Sequence, residues 1–296
     1  MLVFYTLHAY YKRKKTEDRT MGDSRSVKTE TEMKPDYGNW VPRSMIAGLF
    51  GGAGLCAGIF SLAAFLPVFS ANVTLKITVV ALFLTGAAVL SILGFWMLAL
   101  HRAFSYGGKR QMARQIIEGV ADRVHLPEGG CGLDVGCGSG ALTIACAKRN
   151  PKARMIGTDI WGRAYPSFSE ERCRRNAEAE GTANAEFRKG DARRLDFPDG
   201  TFDAVTSNYV YHNIMGADRQ ALLLETLRTL KKGGTFAIHD LMSARRYGDI
   251  ELFADRLRAM GYREVNLTRT ADGMFMTARE GKRLGLASSM LLTGIK

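Results

Sequence analysis

The stretch that decides the fold is LDVGCGSGA, Leu133 to Ala141. Counted from Gly136, its glycines match G-x-G-x-x-G/A, the pattern of a tight strand-to-helix turn whose backbone approaches a nucleoside cofactor. Asp159 follows at a distance of about twenty residues, where a ribose-binding carboxylate would lie. The turn by itself leaves two cofactor classes open, a dinucleotide such as NAD and another nucleoside cofactor.

Short apolar runs alternate with helical stretches on both sides of this turn. From residue 101 onward, the pattern predicts strands over 132–135, 154–159, 185–189, 202–208, 235–240, 262–270 and 288–294, and helices that include 141–149, 168–180, 218–230 and 249–260. Such alternation indicates a parallel sheet with helices on both faces. The last connection contains no long helix, which allows an antiparallel closing strand.

Polar residues and glycines follow the predicted strands, where an open α/β sheet binds its ligand. Asp134 and Asp159 end the first two strands, Gly190-Asp191-Ala192 follows the third, and Asn208 ends the fourth. A strand-end carboxylate accepts hydrogen bonds from ribose hydroxyls, and a carboxylate beside a backbone N–H suits an adenine edge. These positions predict a nucleoside-binding crevice.

With these motifs in order, the segment from about Phe104 to Lys296 resembles the class I S-adenosylmethionine-dependent methyltransferases. The matching pieces are LDVGCGSG, IGTDIWG, FRKGDARRLDFPDGTFDAVTSNYVYHNI and LKKGGTFAIHD. The resemblance implies an α/β fold, a seven-stranded Rossmann-like sheet with its last strand antiparallel, and S-adenosylmethionine (SAM) as the cofactor. It also implies the cofactor-binding residues: Asp134 and the loop of Gly136, Cys137, Gly138 and Gly140 for the methionine part, Asp159 for the ribose, Ile160, Asp191 and Ala192 for the adenine, and Asn208 lining the site.

Two residues near Asn208 are candidates for the acceptor side. His212 is of the residue type that most often serves as a general base near neutral pH, and Tyr211 would shape the acceptor pocket. A purely local role for His212 is the alternative. The five cysteines form no C-x-x-C pair and have no histidine at metal-ligand spacing, so no metal site is expected. Cys137 is expected to be a small loop residue rather than a nucleophile.

Two long uncharged runs precede the α/β part. No charged residue occurs in 44–75 or in 77–100, and each run is long enough to cross a hydrocarbon layer of about 30 Å. The sequence predicts a polar, disordered or surface-helical segment at 1–43, a transmembrane hairpin at 44–100 with helices at about 45–69 and 77–100, and a methyltransferase domain at 101–296. The glycines of the first span, such as Gly48 and Gly52, are expected to pack on the second span, and self-association is the alternative.

The charge pattern predicts how the protein is oriented in a membrane. Lys and Arg cluster before the first span and after the second, so both termini and the catalytic domain are predicted to be cytoplasmic at a bacterial-type cell membrane. The net charge of +12 is scattered, without a basic stripe interleaved with aromatics, and this does not favour nucleic acid. We therefore predict a membrane-anchored SAM-dependent methyltransferase acting on a lipid, a quinone-like molecule or another small acceptor. The alternatives are a non-catalytic SAM-binding membrane module and an NAD-dependent oxidoreductase.

Overall fold

The computed structural model describes residues 34–66, 72–162 and 167–296. Most of the predicted polar segment 1–43, and part of the predicted link between the spans, lie outside the described residues. The elements in chain order are α1 Arg43–Phe65, α2 Val73–Phe104, α3 Met112–Ala121, β1 Cys131–Val135, α4 Ala141–Arg149, β2 Arg154–Asp159, α5 Glu170–Ala179, β3 Ala185–Lys189, β4 Phe202–Asn208, α6 Arg219–Arg228, β5 Leu230–Leu241, α7 Ala244–Tyr247, α8 Ile250–Ala259, β6 Arg263–Arg269, α9 Ala278–Leu284 and β7 Ser289–Ile295.

The strands form one seven-stranded sheet in the order β3-β2-β1-β4-β5-β7-β6. β1 to β5 pair in parallel, whereas β7 runs antiparallel to both β5 and β6. This arrangement confirms the predicted sheet with an antiparallel last strand. The strand order reverses between β1 and β4, and in open α/β sheets ligands bind at the carboxyl ends of the strands beside such a point.

Burial on both faces explains why the central strands are continuous apolar runs. In β1 every residue after Cys131 is buried, and in β4 residues 204–207 are buried as well. Helices α3 and α4 cover one face of the sheet, and α6 and α8 cover the other. β5 begins at Leu230, earlier than the predicted residue 235, because Leu230 already pairs with Phe202 before an irregularity shifts the register.

Helices α1 and α2 pack against each other as an apolar hairpin. A Cβ atom on Gly52 would lie 3.2 Å from Leu90, and one on Gly94 would lie 3.0 Å from Phe50, so both glycines permit close contact between the helices. This agrees with the predicted packing of the first span on the second. Large side chains on the outer surface stay exposed, for example Phe65 at 83% and Ile92 at 68%.

Helix α2 is longer than the predicted span and joins the hairpin directly to the domain. It contains 32 residues and continues past residue 100 to Phe104. Leu100 and Phe104 are buried in the same apolar cluster as Met112 and Ile116 of α3. The last turn of the hairpin is therefore part of the domain core, and no flexible linker separates the two.

Residues 34–42, which fall within the segment predicted to be disordered, instead pack on the domain. The N–H of Asp36 donates to Oδ1 of Asn176 at 2.8 Å, and the Asn39 side chain donates to the carbonyl of His101 at 2.9 Å. The ring of Tyr37 lies 4.5 Å from that of Tyr106. These contacts satisfy the backbone and bury the aromatic rings, so the prediction of disorder is wrong for this part.

Candidate active site

The glycine loop connects β1 to α4 and is held against β2. The N–H groups of Gly136 and Cys137 both donate to the carbonyl of Thr158, at 2.7 and 3.0 Å. Gly136 has φ +75°, and a Cβ atom there would overlap the side chain of Val210. Gly138 has φ +58°, and the nearest atom to a Cβ there would be 3.5 Å away, on Phe168. Glycine is thus required at 136 by packing, whereas at 138 it is favoured by the positive φ, which L side chains rarely adopt.

Asp134 lies beneath this loop, at the carboxyl end of β1. Its side chain is 1% exposed, and its Oδ2 accepts a hydrogen bond from the Thr143 hydroxyl at 2.6 Å. Burial raises the pKa of Asp134 to about 7, and the hydrogen bond from Thr143 opposes part of that rise. A cationic group placed beside this carboxyl would favour its ionised form.

Asp159 connects the end of β2 to the glycine loop. Its Oδ2 accepts from the N–H of Gly138 at 2.9 Å, and its Oδ1 accepts from the N–H of Trp161 at 2.8 Å. The indole N–H of Trp161 donates in turn to the carbonyl of Gly138 at 2.9 Å. Each carboxylate oxygen keeps a second acceptor position for a ligand hydroxyl. Ile160, between the two residues, is 51% exposed and offers an apolar surface.

Three further predicted residues lie at the ends of neighbouring strands. Asp191 follows β3 and accepts from the N–H of Arg193 at 2.9 Å, in a partly exposed turn that also contains Ala192. Asn208 ends β4, and its Oδ1 lies 2.8 Å from Nδ1 of His239 on β5. Burial lowers the pKa of His239 to about 3, so this imidazole is neutral and donates to Asn208.

The loop cysteine is an unreactive part of the core. Cys137 is buried, and burial raises the pKa of its thiol well above the ordinary value, with Cys173 close by. The thiol of Cys173 donates to the carbonyl of Gly138 at 3.2 Å. Over the described ranges, no group of three or more His, Cys, Asp or Glu side chains is arranged to hold a metal ion.

His212 follows β4 and is paired with Asp240, a residue for which the sequence indicated no role. Nδ1 of His212 forms a short hydrogen bond with Oδ1 of Asp240 at the end of β5. Burial alone would raise the pKa of Asp240. The hydrogen bond and charge of His212, together with hydrogen bonds donated by Leu241 N and Tyr247 Oη, instead hold the pKa of Asp240 below its usual value. An ionised carboxylate only accepts, so Nδ1 carries a proton, and in the neutral imidazole Nε2 is the acceptor nitrogen.

Tyr211 does not reach this crevice, and its predicted place in the acceptor pocket is wrong. Its ring is fully buried on the α6 side of the sheet, and its hydroxyl shares a hydrogen bond of 2.6 Å with Thr226. The reason is a left-handed backbone at Tyr209, with φ +55°, which rotates the following residues away from strand alternation.

The aromatic residue beside His212 is instead Tyr209. Its ring centroid lies 6.0 Å from that of His212 and 6.2 Å from that of Phe104, the last residue of α2. Trp40 packs edge-on against Phe104 at 5.8 Å. The domain-side end of the apolar hairpin thus adjoins the crevice at the end of β4 through aromatic contacts.

Comparisons with known proteins place this site in a recognised sequence region. Residues 133–238, which run from β1 into β5, match the family profile described as a methyltransferase domain. The chain is 33% identical over 139 residues to a demethylmenaquinone methyltransferase of Thermus thermophilus, covering 47% of this chain and 58% of that protein. It is 31% identical over 149 residues to a sterol 24-C-methyltransferase of Gibberella zeae, covering 50% of this chain and 35% of that protein.

The similarity spans only part of each relative's length. The matched stretch spans 58% of the first protein and 35% of the second, so less than two thirds of either is represented. Among solved structures, a SAM-dependent methyltransferase from Aquifex aeolicus is 19% identical, covers 60% of this chain and 88% of its own, and superposes with a TM-score of 0.42.

Proposed function

We propose that this chain, which belongs to the class I SAM-dependent methyltransferases, transfers a methyl group to a membrane-partitioned acceptor while anchored at the cytoplasmic face of a membrane. The observation that carries the proposal is the position of the His212–Asp240 pair. It lies at the carboxyl ends of β4 and β5. Val210, two residues before His212, abuts Gly136 of the glycine loop, and Tyr209 connects the pair to the last residue of α2. The candidate base, the cofactor loop and the hairpin end therefore converge.

The residues around the loop fit SAM by their chemistry. The buried Asp134 supplies negative charge beside the loop for the ammonium and sulfonium of the methionine part. Asp159 has acceptor positions for ribose hydroxyls, and Ile160 offers an apolar surface for adenine. Asp191, with Ala192, is assigned to the adenine edge, and Asn208 lines the cofactor with its amide fixed by His239.

Bound SAM would supply a methyl group already activated by the positive sulfonium. The chain's own contribution is to position the acceptor in line with that methyl group and to take up the acceptor's proton. Asp240 fixes the orientation of the His212 ring through Nδ1, which leaves Nε2 to accept the proton. The ionised Asp240 also stabilises the imidazolium that results.

The hairpin supports a membrane location by its length and its exposed surface. From Ile77 to Trp96, helix α2 measures about 30 Å, which matches a hydrocarbon layer of about 30 Å. Most large side chains on both helices remain uncovered by protein. A core helix of a soluble domain would bury them. The basic residues Arg43, Arg102 and Lys109 lie at the domain end, which supports cytoplasmic termini and a cytoplasmic domain.

Both this geometry and the names of the relatives support a lipophilic acceptor. Helix α2 continues without a linker into the domain core, so the crevice is held near the bilayer surface. Two matched proteins are named for a demethylated quinone and for a sterol, both lipophilic molecules. We assign the acceptor to this chemical class.

The reaction class is tested with the full-length protein, methyl-labelled SAM and a total cell extract depleted of proteins. We expect label to leave the cofactor and S-adenosylhomocysteine to accumulate. Calorimetry with S-adenosylhomocysteine and with NAD runs in parallel. Binding of S-adenosylhomocysteine without any transfer would support a non-catalytic SAM-binding module instead. Tight binding of NAD without binding of S-adenosylhomocysteine would support an oxidoreductase and overturn the proposal.

A further inference from the structure

A cavity of about 890 Å³ lies where the hairpin meets the domain. We call it the junction groove and define it by Arg43, Phe50, Leu98, Arg102, Lys109 and Arg283. It lies between the first turns of α1, the last turns of α2 and helix α9, and it does not include the residues of the cofactor crevice. Its volume is typical of sites that enclose a small molecule or part of a lipid.

The walls of the groove divide by chemistry. Its apolar side consists of hairpin residues such as Ile46, Phe50 and Leu98, which belong to the predicted membrane-spanning stretches. Its polar rim carries cations from three separate parts of the chain: α1, the end of α2 with the turn after it, and α9. An apolar wall beside a cationic rim suits a ligand that has an acyl chain and an anionic head.

The cations on the rim are mostly unneutralised. Glu280 is the only carboxylate among the lining residues, and Arg110 pairs with it at 2.7 Å. Arg43, Arg102, Lys109 and Arg283 are exposed and have no ion-pair partner within the described part of the chain. Four like charges gathered around one groove repel each other, and a bound anion would remove that repulsion.

The groove also lies at the depth where a phospholipid headgroup would be. Trp96 is of the residue type enriched at membrane interfaces, and its indole N–H donates to the carbonyl of Arg283 at 3.1 Å. Arg102 follows six residues later on the same helix, about 9 Å further along its axis. The rim therefore stands just outside the hydrocarbon, while Phe50 and Leu98 face its edge.

We infer that the junction groove binds one anionic phospholipid of the surrounding cytoplasmic leaflet. Its phosphate lies among Arg43, Arg102, Lys109 and Arg283, and its acyl chains run along Phe50 and Leu98 toward the hydrocarbon. The inference rests on the proposed bilayer insertion of the hairpin but not on methyl transfer. Each cation near an anionic lipid surface favours binding by about fivefold, so the cluster is sufficient for a marked preference.

The test uses full-length protein in nanodiscs of equal parts phosphatidylcholine and phosphatidylglycerol, followed by native mass spectrometry of the released protein. We expect one phosphatidylglycerol to stay bound in preference to phosphatidylcholine. The triple variant Arg102→Gln, Lys109→Gln and Arg283→Gln should reduce that preference on the order of tenfold or more. Absence of a preference in the unmodified protein would overturn the inference.

A matched control separates the groove from overall charge. Lys232→Gln, Arg256→Gln and Arg263→Gln remove the same charge from residues that do not line the groove and form no ion pair within the described ranges. This control should keep the preference, and an equal loss would contradict a defined site. Displacement by inorganic phosphate at the lipid's own concentration would also contradict it.

Flotation of the protein with vesicles of phosphatidylcholine alone tests independently whether the hairpin inserts into a bilayer. Flotation without any preference for phosphatidylglycerol rejects the lipid site and leaves the hairpin proposal standing. Failure to float rejects bilayer insertion, and the lipid site with it.

Discussion

Cofactor affinity should depend on pH through the titration of Asp134, and the variant Asp134→Asn should lose that dependence. Its carboxyl group is 1% exposed and has a pKa of about 7 because burial disfavours the ionised form. SAM and S-adenosylhomocysteine carry an ammonium that we place beside this group, and the ammonium favours the ionised carboxylate. Binding therefore requires that Asp134 lose its proton.

The sign and size of the effect follow from the pKa. From about pH 8 upward the carboxyl is almost fully ionised, and affinity no longer depends on its titration. At pH 6 only about a tenth of the molecules are ionised, so affinity should be lower by about tenfold, or about 1.4 kcal/mol per pH unit below the pKa. Affinity thus rises with pH from 6 through 7 and reaches a plateau at about pH 8.

Titration calorimetry of the full-length protein with S-adenosylhomocysteine at several pH values between about 5.5 and 8.5 measures this. The control is Asp134→Asn, whose side-chain oxygen still accepts the hydrogen bond from Thr143. The variant should bind more weakly above pH 7, and its affinity should lose the part of the pH dependence that comes from Asp134. Parallel pH profiles for the variant and the unmodified protein would refute the assigned role.

Other predictions concern catalysis, the loop and the membrane. His212→Gln should lower kcat by about a hundredfold or more while leaving the Kd of S-adenosylhomocysteine unchanged, and a normal kcat in this variant would exclude His212 as the base. Asp240→Asn should shift the pH–rate profile. Gly136→Ala should lower Tm more than Gly129→Ala, since both glycines have positive φ but only Gly136 abuts Val210; equal Tm losses would contradict that packing. The protein should stay in the membrane pellet after alkaline carbonate extraction, and release into the supernatant would contradict a spanning hairpin.

Much of the fold could be predicted because its signals are local. The glycine turn and the acids at the strand ends mark the carboxyl edge of a parallel sheet, and apolar runs mark strands that are buried on both faces. The predicted family, the seven-stranded sheet with an antiparallel last strand and SAM as cofactor are confirmed. The assignments of individual cofactor residues remain predictions.

The features that were missed depend on contacts between distant parts of the chain. Asp240 becomes the partner of His212 only because β4 and β5 pair in a register that brings Asn208 opposite His239. Alternation along Asn208 to His212 could not show that Tyr211 enters the core, since the left-handed backbone at Tyr209 interrupts it.

The end of α2 was also placed too early. His101 and Arg102 resemble a polar boundary in the sequence, yet the helix continues and buries Phe104 against the domain. Polar residues on one face of a helix do not end it while the opposite face still packs.

The most direct test of the central claim is the fate of the methyl group. Full-length protein reconstituted in vesicles is given methyl-labelled SAM together with either the organic-soluble or the aqueous fraction of a cell extract, and the product is separated by solvent partition. The account predicts label in an organic-soluble product, with the rate strongly reduced in Asp159→Ala. Equal or faster labelling of a water-soluble product, with the hairpin inserted, would contradict it.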